Sequence, residues 1–159
     1  MRRFLYWLSG RLPCRIISDD GTPYLERYYV CTVFGVRVYL HRFVGSDPDR
    51  GLHDHPWPWA FSLVLSGWYI EELRRASKFR TVRWINFLTG DTFHRVILPH
   101  GRRDTWTLFA HRAKVVKEWG FWHGCKVGAI WTPYPQQTGT REWWPEVPLG
   151  RDEPRRMPR

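Results

Sequence analysis

Turn chemistry recurs roughly every 8 to 12 residues between Tyr24 and Thr132, which leaves room only for short strands. Arg27 to Phe34 and Val36 to Val44 are rich in Tyr, Val and Phe, with Gly35 between them as a tight turn. Ala60 to Leu65 and Trp68 to Leu73 read as a hairpin about Ser66-Gly67. Thr81 to Leu88, Thr92 to Leu98, Asp104 to Ala110, Lys114 to Trp119 and Lys126 to Thr132 bring the set to about nine strands. No helical pattern of about ten residues or more interrupts them, so a parallel α/β sheet is excluded and an all-β barrel or sandwich is expected.

The two ends differ from this middle. In residues 1–23, Phe4, Leu5, Trp7 and Leu8 give one apolar side to a short helix that Gly10 stops. Residues 133–159 hold six of the 12 prolines and the pair Trp143-Trp144. Such a segment cannot hold a sheet ladder, so it is expected to run as an extended strap pinned by its two Trp, with the last ten residues mobile. The expected organisation is an extension over 1–23, a β-barrel over 24–132 and a strap and tail over 133–159, within one domain of 159 residues.

Net charge is +10, from 25 basic and 15 acidic residues, and 21 of the basic residues are Arg. This balance suits a solvated surface with a capacity for weak contact with nucleic acid or another polyanion. No apolar run approaches the roughly 20 residues of a membrane helix, and Phe4 to Leu8 is too short for the core of a secretory signal. Cys14, Cys31 and Cys125 are odd in number and widely spaced, so neither a disulfide framework nor a cysteine zinc site is expected. A cytoplasmic location follows as the default.

The segment His53-Asp54-His55 carries the most chemistry. Residues two apart on a strand share a face, so both imidazoles can converge on one divalent ion. His94 follows the turn Gly90-Asp91 on another expected strand and offers a third nitrogen.

These residues resemble the cupin superfamily, small barrels of the double-stranded β-helix, jelly-roll-like type. The family's first motif runs His-x-His, three or four residues, Glu, six residues, Gly. His53, His55 and Gly67 match it; Ala60 stands at the Glu position and Asp47 at the leading Gly. The His94 segment is similar to a shortened second motif, without its Pro-x-Gly and with Leu98 where Asn is frequent. LERYYV, LHRF, GLHDHPW, LVLSGWYIEE, HRV, TWTLF and KEWGF further resemble small cupin proteins of phages and bacteria, over about residues 24 to 122.

The resemblance implies a metal centre of His53, His55 and His94, similar to that of the cupin thiol dioxygenases, with Fe(II) favoured and Ni, Mn or Zn as alternatives. It implies an oxygenase acting on a small polar substrate, in a protein that commonly forms homodimers. Because His55 stands at the second ligand position, a 2-oxoglutarate oxygenase is disfavoured. Two other readings stay open: a metal-free isomerase or epimerase acting on a sugar or nucleotide sugar, and a non-catalytic module for a small ligand or nucleic acid.

Further residues have candidate roles. Glu71 and Tyr69 share a face of one strand, Glu71 as a replacement ligand or general base and Tyr69 as a hydrogen-bond donor. Alternation sends only one of His41 and Arg42 inward; an inward Arg42 would bind a substrate carboxylate or phosphate, and the commoner role of such an Arg is a structural ion pair. Asp54 is expected to point away from its two histidines and either to fix the loop or to pair with an Arg. His100, His111 and His123 are expected to be exposed, and Trp57, Trp59, Trp106 and Trp119 to fill the core or line a pocket, with stacking on a base or sugar as the alternative.

Overall fold

The computed structural model describes residues 1–74, 78–101, 104–125, 128–135 and 142–157. After helix α1 (Arg2–Ser9), strands β1 (Cys14–Asp19), β2 (Thr22–Val33) and β3 (Val36–Phe43) form an antiparallel meander. Its two turns, Asp20-Gly21 and Phe34-Gly35, place both central residues at positive φ, the hairpin geometry whose twist matches that of the strands. The remaining strands are β4 (Leu52–His53), β5 (Trp59–Ser66), β6 (Tyr69–Leu73), β7 (Lys78–Val82), β8 (Ile85–Thr89), β9 (His94–Ile97), β10 (Thr105–Arg112), β11 (Gly120–Cys125) and β12 (Gly128–Pro133).

They form two six-stranded antiparallel sheets, ordered β1-β2-β3-β10-β5-β8 and β12-β11-β4-β9-β6-β7. One core cluster takes Leu25, Phe43 and Val64 from the first sheet and Tyr69, Val82 and Val96 from the second, so the sheets face each other. This is the expected all-β, jelly-roll-like architecture.

Three local expectations are corrected. β5 and β6 are not a hairpin: Gly67, at φ +87°, turns the chain out of the first sheet and into the second. A Cβ there would lie 2.8 Å from Thr105 Oγ1, so the corner needs glycine. Thr81 to Leu88 is two strands, β7 and β8, which part at Arg83-Trp84 to join different sheets. Lys114 to Trp119 is a loop, held by the Lys117 ammonium between Asp54 (2.7 Å) and Asp91 (2.8 Å). The start of the strand expected at Lys126 lies outside the described residues.

Odd-numbered residues of β3 and β10, and of β2 as far as Tyr29, face the second sheet and even-numbered ones face outward; a bulge between Tyr29 and Cys31 inverts the alternation over the rest of β2. The outer face is covered. Leu5 of α1 packs on Cys14, Tyr28, Leu40 and Trp106. Beside them Arg42 is bound to Glu26 (3.1 Å) and Asp104, and Tyr28 donates to Glu26 at 2.6 Å.

The C-terminal segment closes this network. Gly150 N donates to Leu12 O, Arg156 N donates to Glu26 Oε1 at 2.9 Å, and Arg42 donates to Arg156 O. Residues 150–157 are therefore docked where mobility was expected, because their backbone satisfies buried charges; residues 158 and 159 lie outside the described residues. Trp144 stacks on Tyr29 with ring centroids 4.0 Å apart, and Trp143 packs near Tyr39. Among the described residues no helix is long and apolar enough to cross a membrane.

Candidate metal centre

β4 is only two residues long, yet it is paired on both sides. His53 stands opposite Phe121 of β11 and opposite His94 of β9. Direct cross-strand partners share a face, so register alone brings His53 and His94 together. His55 lies past the strand end, where its N–H donates to Gly90 O at 3.2 Å and its ring stacks on Trp57. Asp54 fixes the loop between them: one oxygen accepts from Gly120 N at 2.8 Å and the other from Lys117.

The ligand-capable nitrogens of His53, His55 and His94 all lie within 4.8 Å of one another. His55 Nε2 and His94 Nε2 are 2.9 Å apart. Two nitrogens at about 2.1 Å from a shared ion lie about 3.0 Å apart at right angles and about 3.4 Å apart at the tetrahedral angle, so this pair lies close to the octahedral spacing. Burial first, then the neighbouring His94 and Arg27, holds the pKa of both His53 and His55 well below the usual histidine range. Both are therefore neutral imidazoles, the form that binds metal.

Glu71 stands behind His94. It is fully buried, and its Oε1 lies 2.8 Å from His94 Nδ1. Asn86 Nδ2 donates to the same oxygen at 2.7 Å, and Arg80 Nε donates to Oε2 at 2.6 Å. Burial opposes ionisation of Glu71, but the bonds from His94, Arg80 and Asn86 outweigh it and hold the carboxyl below its usual range. An ionised Glu71 can only accept, so its bond with His94 is donated by Nδ1–H, and the Nε2 lone pair of that tautomer faces the other two histidines. Both Glu71 oxygens are thus engaged by His94, Asn86 and Arg80. Ala60 supplies no donor; it is buried among Tyr39, Trp57 and Phe109.

Tyr69 and Glu71 do share a face, and Tyr69 accepts a hydrogen bond from Asn86 Nδ2 at 3.0 Å. Burial, and then the Glu71 charge, raise the Tyr69 pKa, so it stays a phenol with a proton to give.

The histidines open on a cavity of 380 Å³ between the sheets. Its other wall corrects two expectations. Arg42 points outward into its pairing with Glu26 and Asp104, and His41 points inward. His111 is buried, 1% exposed, and stacks on Trp57 with ring centroids 3.5 Å apart. Its Nδ1 lies 2.8 Å from Arg112 O, and burial lowers its pKa to about 3. His100 and His123 are exposed, as expected.

Arg27, Asp47 and His111 line the cavity without a local signal in the sequence, while Trp57 lines it as expected and His41 is the inward member of its pair with Arg42. Asp47 was noted only as a departure from the motif. Its Oδ2 accepts from Val96 N at 2.7 Å and lies 3.9 Å from His53 Nδ1, and burial raises its pKa.

No protein-family model matches the chain, and no curated protein matches it. Solved structures do. The cupin-2 domain Rru_A2000 from Rhodospirillum rubrum superimposes with a TM-score of 0.55 at 12% identity, over 74% of this chain and 78% of that one. A cupin 2 conserved barrel domain protein from Rhodopseudomonas palustris gives 0.53 at 10% identity, over 67% and 74%. Fe(II) HppE gives 0.53 at 13% identity, over 63% of this chain; the chain spans only 56% of the length of that protein. At these identities the likeness concerns architecture, and it agrees with the two facing sheets. The chain has the fold of the cupin superfamily.

Proposed function

We propose that this protein is a divalent-metal enzyme of the cupin type that oxidises a small polar substrate, with His53, His55 and His94 as the metal ligands. One observation carries this reading: three imidazoles gathered within 4.8 Å at a cavity of 380 Å³. Neutral nitrogen ligands suit Fe(II), Ni, Mn or Zn; Fe(II), favoured here, supplies Lewis acidity and one-electron chemistry towards dioxygen when bound.

The chain's own residues supply the rest. Glu71 fixes the ring and tautomer of His94, and Asp47 stands beside His53. Tyr69, its oxygen already accepting from Asn86, directs its proton to a polar atom of the substrate. Trp57, Phe109 and Phe121 line the cavity and keep bulk water from it. Fe(II) HppE, a neighbour that carries iron, supports this reading by its fold and its metal.

A metal-free isomerase is the second reading. The 2.9 Å approach of His55 Nε2 to His94 Nε2, with Glu71 behind, would equally serve as a proton relay. Metal content of anaerobically purified protein separates the two. About one equivalent of a first-row divalent metal, with oxygen uptake on adding substrate candidates, supports the oxygenase; stable, folded protein that takes up no added metal supports the isomerase.

A further inference from the structure

The inner face of the first sheet carries a row of cationic and imidazole groups. Arg15 of β1 stands opposite Arg27 of β2, which stands opposite His41 of β3, and all three line the cavity. Arg27 Nε donates to His41 Nε2 at 3.1 Å, and the guanidinium lies 5.6 Å from the Tyr39 ring centroid. Since His41 accepts this bond, its Nε2 carries no proton.

Arg27 and Arg15 differ from the paired arginines of this protein. Arg42, Arg50, Arg80 and Arg95 each meet a carboxylate. Among the described residues Arg27 and Arg15 have no carboxylate within ion-pair distance. Burial makes the charge on Arg27 costly, yet a guanidinium does not deprotonate at neutral pH. Four of its five N–H groups remain after the bond to His41, in a fork that fits a carboxylate or phosphate. Arg27 lines the same cavity as His53, His55 and His94.

We propose that Arg27, backed by Arg15, is an oxyanion subsite, and that the substrate carries a carboxylate or phosphate group held there in two-pronged fashion. That the rest of this substrate reaches His53, His55 and His94 rests on the metal-enzyme reading; the anion subsite itself does not. Arg27 thus takes the role that the sequence suggested for Arg42.

Calorimetric titration of the metal-free protein tests this, since a bound metal would itself attract anions. The probes are inorganic phosphate and acetate at constant ionic strength, with chloride as background. Saturable one-site binding of at least one probe is expected, phosphate preference pointing to a phosphorylated substrate and acetate preference to a carboxylic acid. Arg27→Gln, which keeps a hydrogen bond to His41, is expected to weaken that binding about tenfold or more while zinc uptake stays at the wild-type stoichiometry. If that variant does not fold, Arg27→Lys is used, with binding expected to fall about threefold or more through loss of the fork. No saturable binding of either anion, or undiminished binding in whichever variant folds, overturns the subsite. His94→Ala is expected to bind the anion normally; loss of metal in wild type with intact anion binding would count against the metal reading alone.

Discussion

Glu71 Oε1 lies 2.8 Å from His94 Nδ1, and this bond sets which nitrogen of His94 faces the other two histidines. The family pattern has a Glu five residues after the second His, where this chain has Ala60. Here the nearby carboxylate comes from β6 and acts through an imidazole.

Glu71→Gln should therefore retain the fold and weaken the metal. The amide can still bond His94, but it lacks the charge that raises imidazole basicity. Zinc or cobalt affinity is expected to fall about 10- to 100-fold, read by competition with a chromophoric chelator. An unchanged affinity would remove Glu71 from the centre.

Buried histidines make the metal-free protein acid-sensitive. The pKa of His111 falls from 6.5 unfolded to about 3 folded, and those of His41, His53 and His55 are also lowered, by burial first. Below about pH 6.5 the unfolded chain takes up protons that the folded chain refuses, so stability falls as pH drops, by up to about 1.4 kcal/mol per pH unit for each group. His111→Phe should flatten the dependence of unfolding free energy on pH between 6 and 5 by about one proton. An identical slope in the variant would show that His111 titrates normally in the folded protein.

Arg42 is a structural cation. Arg42→Met leaves Glu26 and Asp104 buried without their partner, and is expected to cost about 3–5 kcal/mol in denaturant unfolding. Zinc stoichiometry of the folded fraction should not change, since Arg42 lies on the outer face.

The docked C-terminal segment makes a related prediction. Truncation after Asp152 removes the Arg156 backbone from Glu26 and Arg42, and Arg155 from Ser9 Oγ (2.8 Å). A loss of about 1–3 kcal/mol is expected for the buried groups left unsatisfied. Unchanged thermal stability would mean that the segment only rests on the surface.

Much of this architecture was legible in the sequence because β-turns have local chemistry. The Phe34-Gly35 turn joins two β-rich runs, and the His-x-His spacing points to two imidazoles near one another. Asp20-Gly21 carried an equally local signal for β1 and β2, and was passed over. What stayed hidden depends on partners distant in sequence. A Gly-containing corner reads alike whether the chain folds back beside itself or crosses to a second sheet, and Gly67 and Arg83-Trp84 do the latter. Alternation said that His41 and Arg42 point oppositely, but only Glu26 and Asp104 on the outer face decide which one points in. His111 sits in a polar stretch of sequence, and its burial against Trp57 follows from the His111↔Ala60 register of β10 and β5, where the small Ala leaves room.

The metal-bearing role of His53, His55 and His94 is the central claim, and metal content by mass spectrometry tests it most directly. Protein purified anaerobically without an affinity tag is compared with His94→Ala, each before and after incubation with Fe(II) and Zn(II). The account predicts about one equivalent per chain in wild type and below about a tenth in the variant. Wild type that remains below a tenth of an equivalent after incubation, or a variant that binds as well as wild type, would contradict it.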